Sequence, residues 1–275
     1  MRPTGLPAFD QPPVVEVAVS VQFESPLLDT PHVMLFWSQV RSRFPVIEQT
    51  PSLPPTIETF EAPKVLIPNI EFKLLDAPPT PRVFLHNKAR TELIQLQQDR
   101  FGYNWRRLQP DDNYPHYEAI KESFAKEFAV FEEFLSNENL GEMRPTQCEV
   151  TYVNHVFGEG IWQKHGELYK VIPSVTPKLT DDFLPSSEEV RYSSKYVLAD
   201  EENKPLGRLY VRVEPRYLTT DMTPIFLMQL TARGAPQGTS LQGLLKTLDL
   251  GHEWIVRGFT ALTAPEMHKA WRRKQ

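Results

Sequence analysis

The sequence is poor in the residues that most familiar catalytic chemistries need. It holds one cysteine, Cys148, in 275 residues, so no internal disulfide can form. Glycine is scarce, 12 residues against 26 prolines, and no phosphate-cradling glycine loop, dinucleotide fingerprint, Gly-x-Ser-x-Gly elbow or His-Glu-x-x-His pair occurs. The usual ATPase, dehydrogenase, hydrolase and zinc-enzyme readings therefore lose their basis, and no cofactor or metal is expected. Positive charge is also in deficit. A net charge of -5 and a pI near 5.9 give no overall field to attract a phosphate backbone, so nucleic acid is not the expected partner. No apolar run approaches the roughly 18 to 20 residues that cross a bilayer, because Glu16, Ser20 and Gln22 interrupt the stretch from Val14 to Phe23. No membrane association is expected. The first residues lack the charged-then-apolar layout of a secretory signal, which points to a cytoplasmic location.

What is present belongs to an ordinary globular protein: 40% apolar and 24% charged residues, in a length that suits one large domain or two modest ones. The prolines punctuate it. Residues 1-13 hold four of them and read as an extended arm. Val15, Val17, Val19, Val21 and Phe23 then alternate with smaller or polar residues, the period of a half-buried strand. Thr30 and Pro31 supply a cap and first-turn proline for a helix from Pro31 to Phe44. Prolines break the chain from Val46 to Pro81 so often that Thr56 to Phe60 and Ile70 to Leu75 are edge strands at best.

A hairpin is predicted from Arg82 to His86 and Glu92 to Tyr103, turning at Asn87 to Arg90. Tyr117, Ile120, Phe124, Phe128, Phe131 and Leu135 then step at helical spacing. The rhythm recurs in the remainder: a strand from Gln147 to Phe157, three more from Val190 to Leu198, Gly207 to Arg216 and Ile225 to Arg233, and a helix with the stripe Leu241, Leu244, Leu245, Leu248, Ile255 and Phe259, capped by Ser240. Thr263 and Glu266 form a capping box for a last short helix. The fold class expected is α+β, with long amphipathic helices on one face of an antiparallel sheet. The arm 1-13 leads into two α+β halves, 14-143 and 144-275, packed as one unit and possible products of a structural duplication.

Three segments together have a distinctive composition: Pro12-Pro13-Val14-Val15-Glu16 with Val21-Gln22-Phe23, the run from Leu93 through Asp99-Arg100-Phe101-Gly102-Tyr103-Asn104-Trp105-Arg106, and His252-Glu253-Trp254-Ile255 through Trp271. In these the chain resembles a sporadically distributed prokaryotic family of uncharacterised proteins of about this length. The resemblance implies no activity. The family's patchy distribution implies a dispensable gene of mobile or defence-related loci, and so a conditional role.

The segment from Leu93 to Arg106 carries the main candidate site. On one regular strand Gln95, Gln97 and Asp99 share a face with Leu93, Phe101 and Tyr103, while Ile94, Leu96, Gln98 and Arg100 share the other. A row of amides beside a carboxylate can match the donors and acceptors of a polar ligand or a partner's backbone; a solvated outer face is the plainer alternative. The candidate binding residues are Gln95, Gln97, Asp99, Arg100, Asn104, Arg106 and His252, the last on a helix stripe where a core imidazole is the plainer reading. Asp111, Asp112 and His116 are read as helix-opening residues that favour the N-terminal dipole rather than as metal ligands. No residue is assigned a catalytic role.

The function expected is that of a non-catalytic binding or regulatory protein that recognises a protein partner or polar ligand, or assembles with copies of itself. Two alternatives stay open. One is an enzyme of unrecognised type with Asp99, Arg100 and either His252 or His155 around one pocket. The other is weak nucleic-acid binding through the basic tail of His268, Lys269, Arg272, Arg273 and Lys274, with Trp271 interleaved.

Overall fold

The alternation from Val17 to Phe23 buries its odd-numbered side chains on one side of a pleated layer, and the rest of the sheet is built outward from that strand. In this computed structural model, residues 5–60, 80–176 and 183–274 are described, together with residues 179 and 181. The strands are β1 (Val14–Phe23), β2 (Val46–Thr50), β3 (Arg82–His86), β4 (Glu92–Gln97), β5 (Arg100–Arg106), β6 (Pro145–Val156), β7 (Tyr192–Ala199), β8 (Pro205–Tyr217) and β9 (Pro224–Gly234). They form one antiparallel sheet in the order β2-β3-β4-β5-β1-β6-β9-β8-β7. With the helices α1 (Thr30–Val40), α2 (His116–Asn137), α3 (Leu241–Leu262) and α4 (Pro265–Ala270), the class is mixed α+β. The predicted segment Ile70 to Leu75 lies outside the described residues.

One side of the sheet is apolar. Val17, Val19, Val21, Ile94, Leu96, Phe101, Val150, Leu230 and Val211 are all buried there. On this side Phe101 meets Phe124, Phe128 and Phe131 of α2 at ring separations of 5.9, 5.4 and 4.9 Å. Phe36 of α1 closes the group against Phe131 and Phe134. Helix α3 covers β6 and β9 closely because Gly251 faces them: a Cβ there would stand 3.2 Å from Val150 Cγ2. The buried line of α3 thus includes Gly243, Thr247, Gly251 and His252, while Leu241 and Leu245 are half-buried.

Several local expectations are corrected. Residues Glu92 to Tyr103 are two strands, because Gln98 and Asp99 turn the chain between β4 and β5. The loop after β1 pins that turn, with Phe23 N–H donating to Asp99 O and Leu27 N–H to Gln98 O. The reversal changes the faces. Phe101 and Tyr103 go to the helix side, whereas Arg100, opposite Gln97, joins the amides. Asp29 rather than Thr30 caps α1, in a box with His32, and the helix ends at Val40. Thr56 to Phe60 forms no strand. Asp112 accepts from Leu108 and Gln109 N–H in a turn that precedes α2, so it is no helix cap. Thr263 makes no box either: its hydroxyl donates to Phe259 O and meets His268 Nε2, and α4 begins at Pro265 without a side-chain cap. The arm is held by the tail, with Asp10 and Gln11 N–H donating to Arg272 O and Trp271 O.

Candidate functional site

The side of the sheet away from the helices is polar, and pairing register lays its side chains in rows. Gln97, Arg100, Gln22 and Gln147 stand abreast on β4, β5, β1 and β6. The next row runs Gln95, Gly102, Ser20, Glu149, Arg233 and Arg208. Beyond it come Asn104, Ala18, Thr151, Thr231 and Tyr210.

Across the first row lies an extended segment of the same chain, residues 51–60, Pro-Ser-Leu-Pro-Pro-Thr-Ile-Glu-Thr-Phe. Three glutamines on three strands read its backbone. Gln97 accepts from Leu53 N–H and donates to Leu53 O, both at 2.7 Å. Gln22 accepts from Thr56 N–H at 2.9 Å, and Gln147 from Glu58 N–H at 2.9 Å. A primary amide carries both a donor and an acceptor, so Gln97 meets both polar groups of one peptide residue. Prolines 51, 54 and 55 have no N–H to offer, and the contacts fall between and after them.

The segment ends in a charged clamp. The Glu58 carboxylate, whose side chain is 4% exposed, accepts from Arg208, from Tyr210 OH at 2.6 Å and from Arg233 Nη1 at 3.3 Å. Arg208 also donates to Thr59 O at 2.7 Å and lies over the Phe60 ring. The hydrogen bond to Glu58 raises the pKa of Arg208. Burial works against the charge of Arg233, but Glu149 and Glu58 more than offset it and its pKa is raised. Burial and then Glu58 raise that of Tyr210. Beside the clamp a solvent-open pocket is lined by Tyr210, Arg212, Gln229, Thr231 and Arg233. Arg212 is exposed and makes no ion pair with any described residue.

Energetically the segment is held with a small margin. Each neutral hydrogen bond contributes about 0.5–1.5 kcal/mol net and each charge-assisted one about 1.5–3. Fixing a residue's backbone costs about 1–2 kcal/mol, less where proline has already fixed φ. Ile57 remains largely exposed and Leu53 and Phe60 are only partly covered, so the apolar burial of these side chains is incomplete.

The predicted residues divide accordingly. Gln97, 1% exposed, has both amide groups engaged by Leu53 and by Asp99, so neither Gln97 nor the buried Asp99 is presented to solvent. Arg100 donates to Gln22 Oε1 at 2.7 Å. Gln95 donates to Asn104, Asn104 to Glu16, and Arg106 to Glu16. These polar groups form one connected surface, but their nearest partner is this chain. Sequence reasoning missed Gln22, Gln147, Glu58, Arg208, Tyr210 and Arg233. The one available signal was the alternation that sets Gln22 opposite Val21 and Phe23.

His252 stands on the other side of the sheet. Its Nδ1 meets Tyr152 OH at 2.9 Å, Tyr152 OH meets Tyr114 OH at 3.0 Å, and its ring stacks on Tyr117 at 4.0 Å. These side chains line a small pocket under Pro12 and Pro13 of the arm. Burial raises the pKa of both Tyr117 and Tyr152, so both phenols stay protonated. The chain of hydroxyls orients the imidazole. His116, at the rim, has a φ of 66°, a left-handed conformation that side chains other than glycine seldom adopt.

An Asp/Arg/His pocket is not assembled. Arg100 reaches Gln22 on the polar side, whereas His252 packs on Tyr152 on the helix side. His155 alternates with Asn154 and so faces the polar side with Arg100, but it stands eight residues along β6 from Gln147, the residue level with Gln22 and Arg100, and is out of their reach; burial lowers its pKa. Trp271 is buried against Phe9 and Phe259 rather than interleaved with tail cations, and Lys274 pairs with Asp10. Among the described residues no group of His, Cys, Asp and Glu could hold a metal ion, and no helix is long and apolar enough to cross a membrane. No family model matches the chain, and no curated protein matches it in sequence.

Proposed function

We propose that this chain is a non-catalytic binding or regulatory protein that recognises a protein partner on the polar side of its sheet. The observation that carries the reading is the row of glutamines, Gln97, Gln22 and Gln147, each aimed at the backbone of one extended segment. Buried side-chain amides that meet main-chain groups read a peptide without regard to most of its side chains. The charged clamp then adds selectivity for a carboxylate. The half-buried Gln95, the pocket beside Arg212 and the exposed Lys195 extend the same polar surface.

The resemblance to a patchily distributed prokaryotic family supports a conditional role, linked to mobile or defence-related loci. We also read the chain as a structural duplication. The strand order supports this: β1 and β6 lie side by side at the centre, β5 and β9 flank them, and a 22-residue helix follows each half's last strand.

The test compares the two sides of the sheet in tagged proteins recovered from the native host. A stoichiometric partner should accompany the wild type and the His252→Gln variant, and be lost from Arg212→Glu combined with Lys195→Glu. Partner recovery that ignores the polar-side substitutions, or that depends on His252 alone, would overturn the reading.

A further inference from the structure

The segment that covers the glutamine row has the chemistry of a ligand rather than of a core element. Its backbone donors and acceptors are met by side chains, not by a strand partner: Leu53 by Gln97, Thr56 by Gln22 and Glu58 by Gln147. Its apolar side chains are not sealed in: Ile57 is 64% exposed, and Leu53 and Phe60 are 39% exposed each. One side chain, Glu58, enters the protein deeply, and it does so as a carboxylate between two guanidiniums and a phenol. A segment whose only role is to seal the sheet would do better to turn Ile57 inward and to bury Leu53 and Phe60 completely, since apolar burial is the larger stabilising term. A segment that another chain must replace needs the reverse: reading through the main chain, one charged anchor, and apolar side chains left only partly covered.

Resting on the reading of this side as the recognition surface, we propose that residues 51–60 are a displaceable internal occupant of a peptide site. Its external ligand is an extended, acidic segment of a partner protein. The register of contacts defines that ligand. It offers one residue with both N–H and C=O free to meet Gln97, a free N–H three residues later for Gln22, and two residues beyond that an Asp or Glu. This acidic residue gives its N–H to Gln147 and its carboxylate to Arg208, Arg233 and Tyr210. The two positions between the first contact and the second accept proline, as Pro54 and Pro55 do here. An extended peptide with fixed φ also loses less freedom on docking. In the absence of the partner, the protein's own segment keeps the site closed.

The experiment uses the full chain and a fluorescent synthetic peptide of residues 51–60 with blocked ends. In the double variant Leu53→Pro, Glu58→Ala the internal segment loses an N–H and its carboxylate, while every residue that reads the peptide is intact. Fluorescence anisotropy should show the peptide binding this variant at least about tenfold more tightly than the wild type, where the site is filled, the ratio expected when an occupant is removed. Replacing the peptide's glutamate by alanine should weaken binding by about tenfold or more, and so should Gln147→Ala in the receiving chain. Should the double variant unfold, Glu58→Gln keeps the side chain's shape and shows the same order of affinities. Equal binding to wild type and variant, no binding to a variant that still unfolds cooperatively, or indifference to the peptide's glutamate would overturn the inference. If a partner is lost on Arg212→Glu with Lys195→Glu while the peptide fails to bind, the recognition surface stands and the displaceable segment falls.

Discussion

On the helix side of the sheet, Phe101 is enclosed by Phe124, Phe128 and Phe131, and no atom of it needs a particular partner. On the other side, a few ångströms away through the same backbone, Gln97 is equally buried, yet its place is fixed by two hydrogen bonds to Leu53 and one to Asp99. Apolar burial is non-directional and proportional to area, so the helix side tolerates exchange of shape and gives stability. Polar burial demands a matched partner for each atom, so the opposite side gives specificity and is sealed only while its matching segment is in place. The difference teaches that burial alone does not mark the core here.

Four measurements would break or sharpen that contrast, and the largest effect belongs to the helix side. Phe101→Ala should cost about 3–5 kcal/mol of global stability, the usual range for a fully buried phenylalanine, seen as a lower urea midpoint with an unchanged slope. A loss below about 1 kcal/mol would show that the phenylalanine cluster is not the centre of the core.

The second effect is local. Glu58→Ala removes the anchor of residues 51–60, but the global loss is capped by the free energy with which that segment opens by itself. The amides of Thr56 and Glu58 should exchange with deuterium at least about tenfold faster, and proteases should cut between Leu53 and Phe60, with little change in the urea midpoint. A loss of global stability as large as that of Phe101→Ala would make the segment part of the core.

The third is a dependence on pH with a defined sign. Burial, with Arg106 as a lesser cause, lowers the pKa of His86 on the polar side. Burial, with Arg273 as a lesser cause, lowers that of His268 on α4. A histidine whose folded pKa is depressed takes up its proton more readily when unfolded, so stability falls as pH drops below the unfolded value of about 6.5. The urea midpoint should decline from pH 7.5 to pH 5.5, and His86→Gln or His268→Gln should each flatten the decline.

The smallest effect is chemical. Burial pushes the thiol of Cys148 up to about 12, and the side chain faces the helices. Maleimide should label the folded protein at pH 8 only as fast as it opens, and Glu58→Ala should not accelerate labelling. Acceleration would mean that the two sides of the sheet open together.

Much of the architecture was legible in the residues. Val17, Val19 and Val21 gave β1 its buried side by alternation alone, and Tyr117 through Leu135 defined α2 by helical spacing, because both patterns are local consequences of backbone geometry. The turn at Gln98 and Asp99 was not legible. Its residues continue the alternation of β4 without a glycine or proline, and what bends the chain there is the distant loop after β1. Gln95 and Gln97 did belong to one face, but Arg100 joined them and Phe101 and Tyr103 left, since a hairpin reverses the phase that one continuous strand would keep. Of the site, the amides of β4 were visible, whereas Gln22, Gln147 and the clamp on Glu58 lie 34, 89 and about 150 residues from the groups they hold.

The sequence by itself determined that this is an α+β chain, with strands that bury one side and helices that bury one stripe, since hydrophobic periodicity acts over a few residues. It also determined that the proline-punctuated stretch after β2 could supply no more than edge strands, because proline withholds the N–H that a helix or a central strand requires. Only the tertiary structure decided that residues 51–60 form no strand and where they lie. Pairing β1 with β6 and β9 with β8 brings glutamines and arginines from distant segments into one row, and an extended backbone with free polar groups comes to rest where those side chains match it.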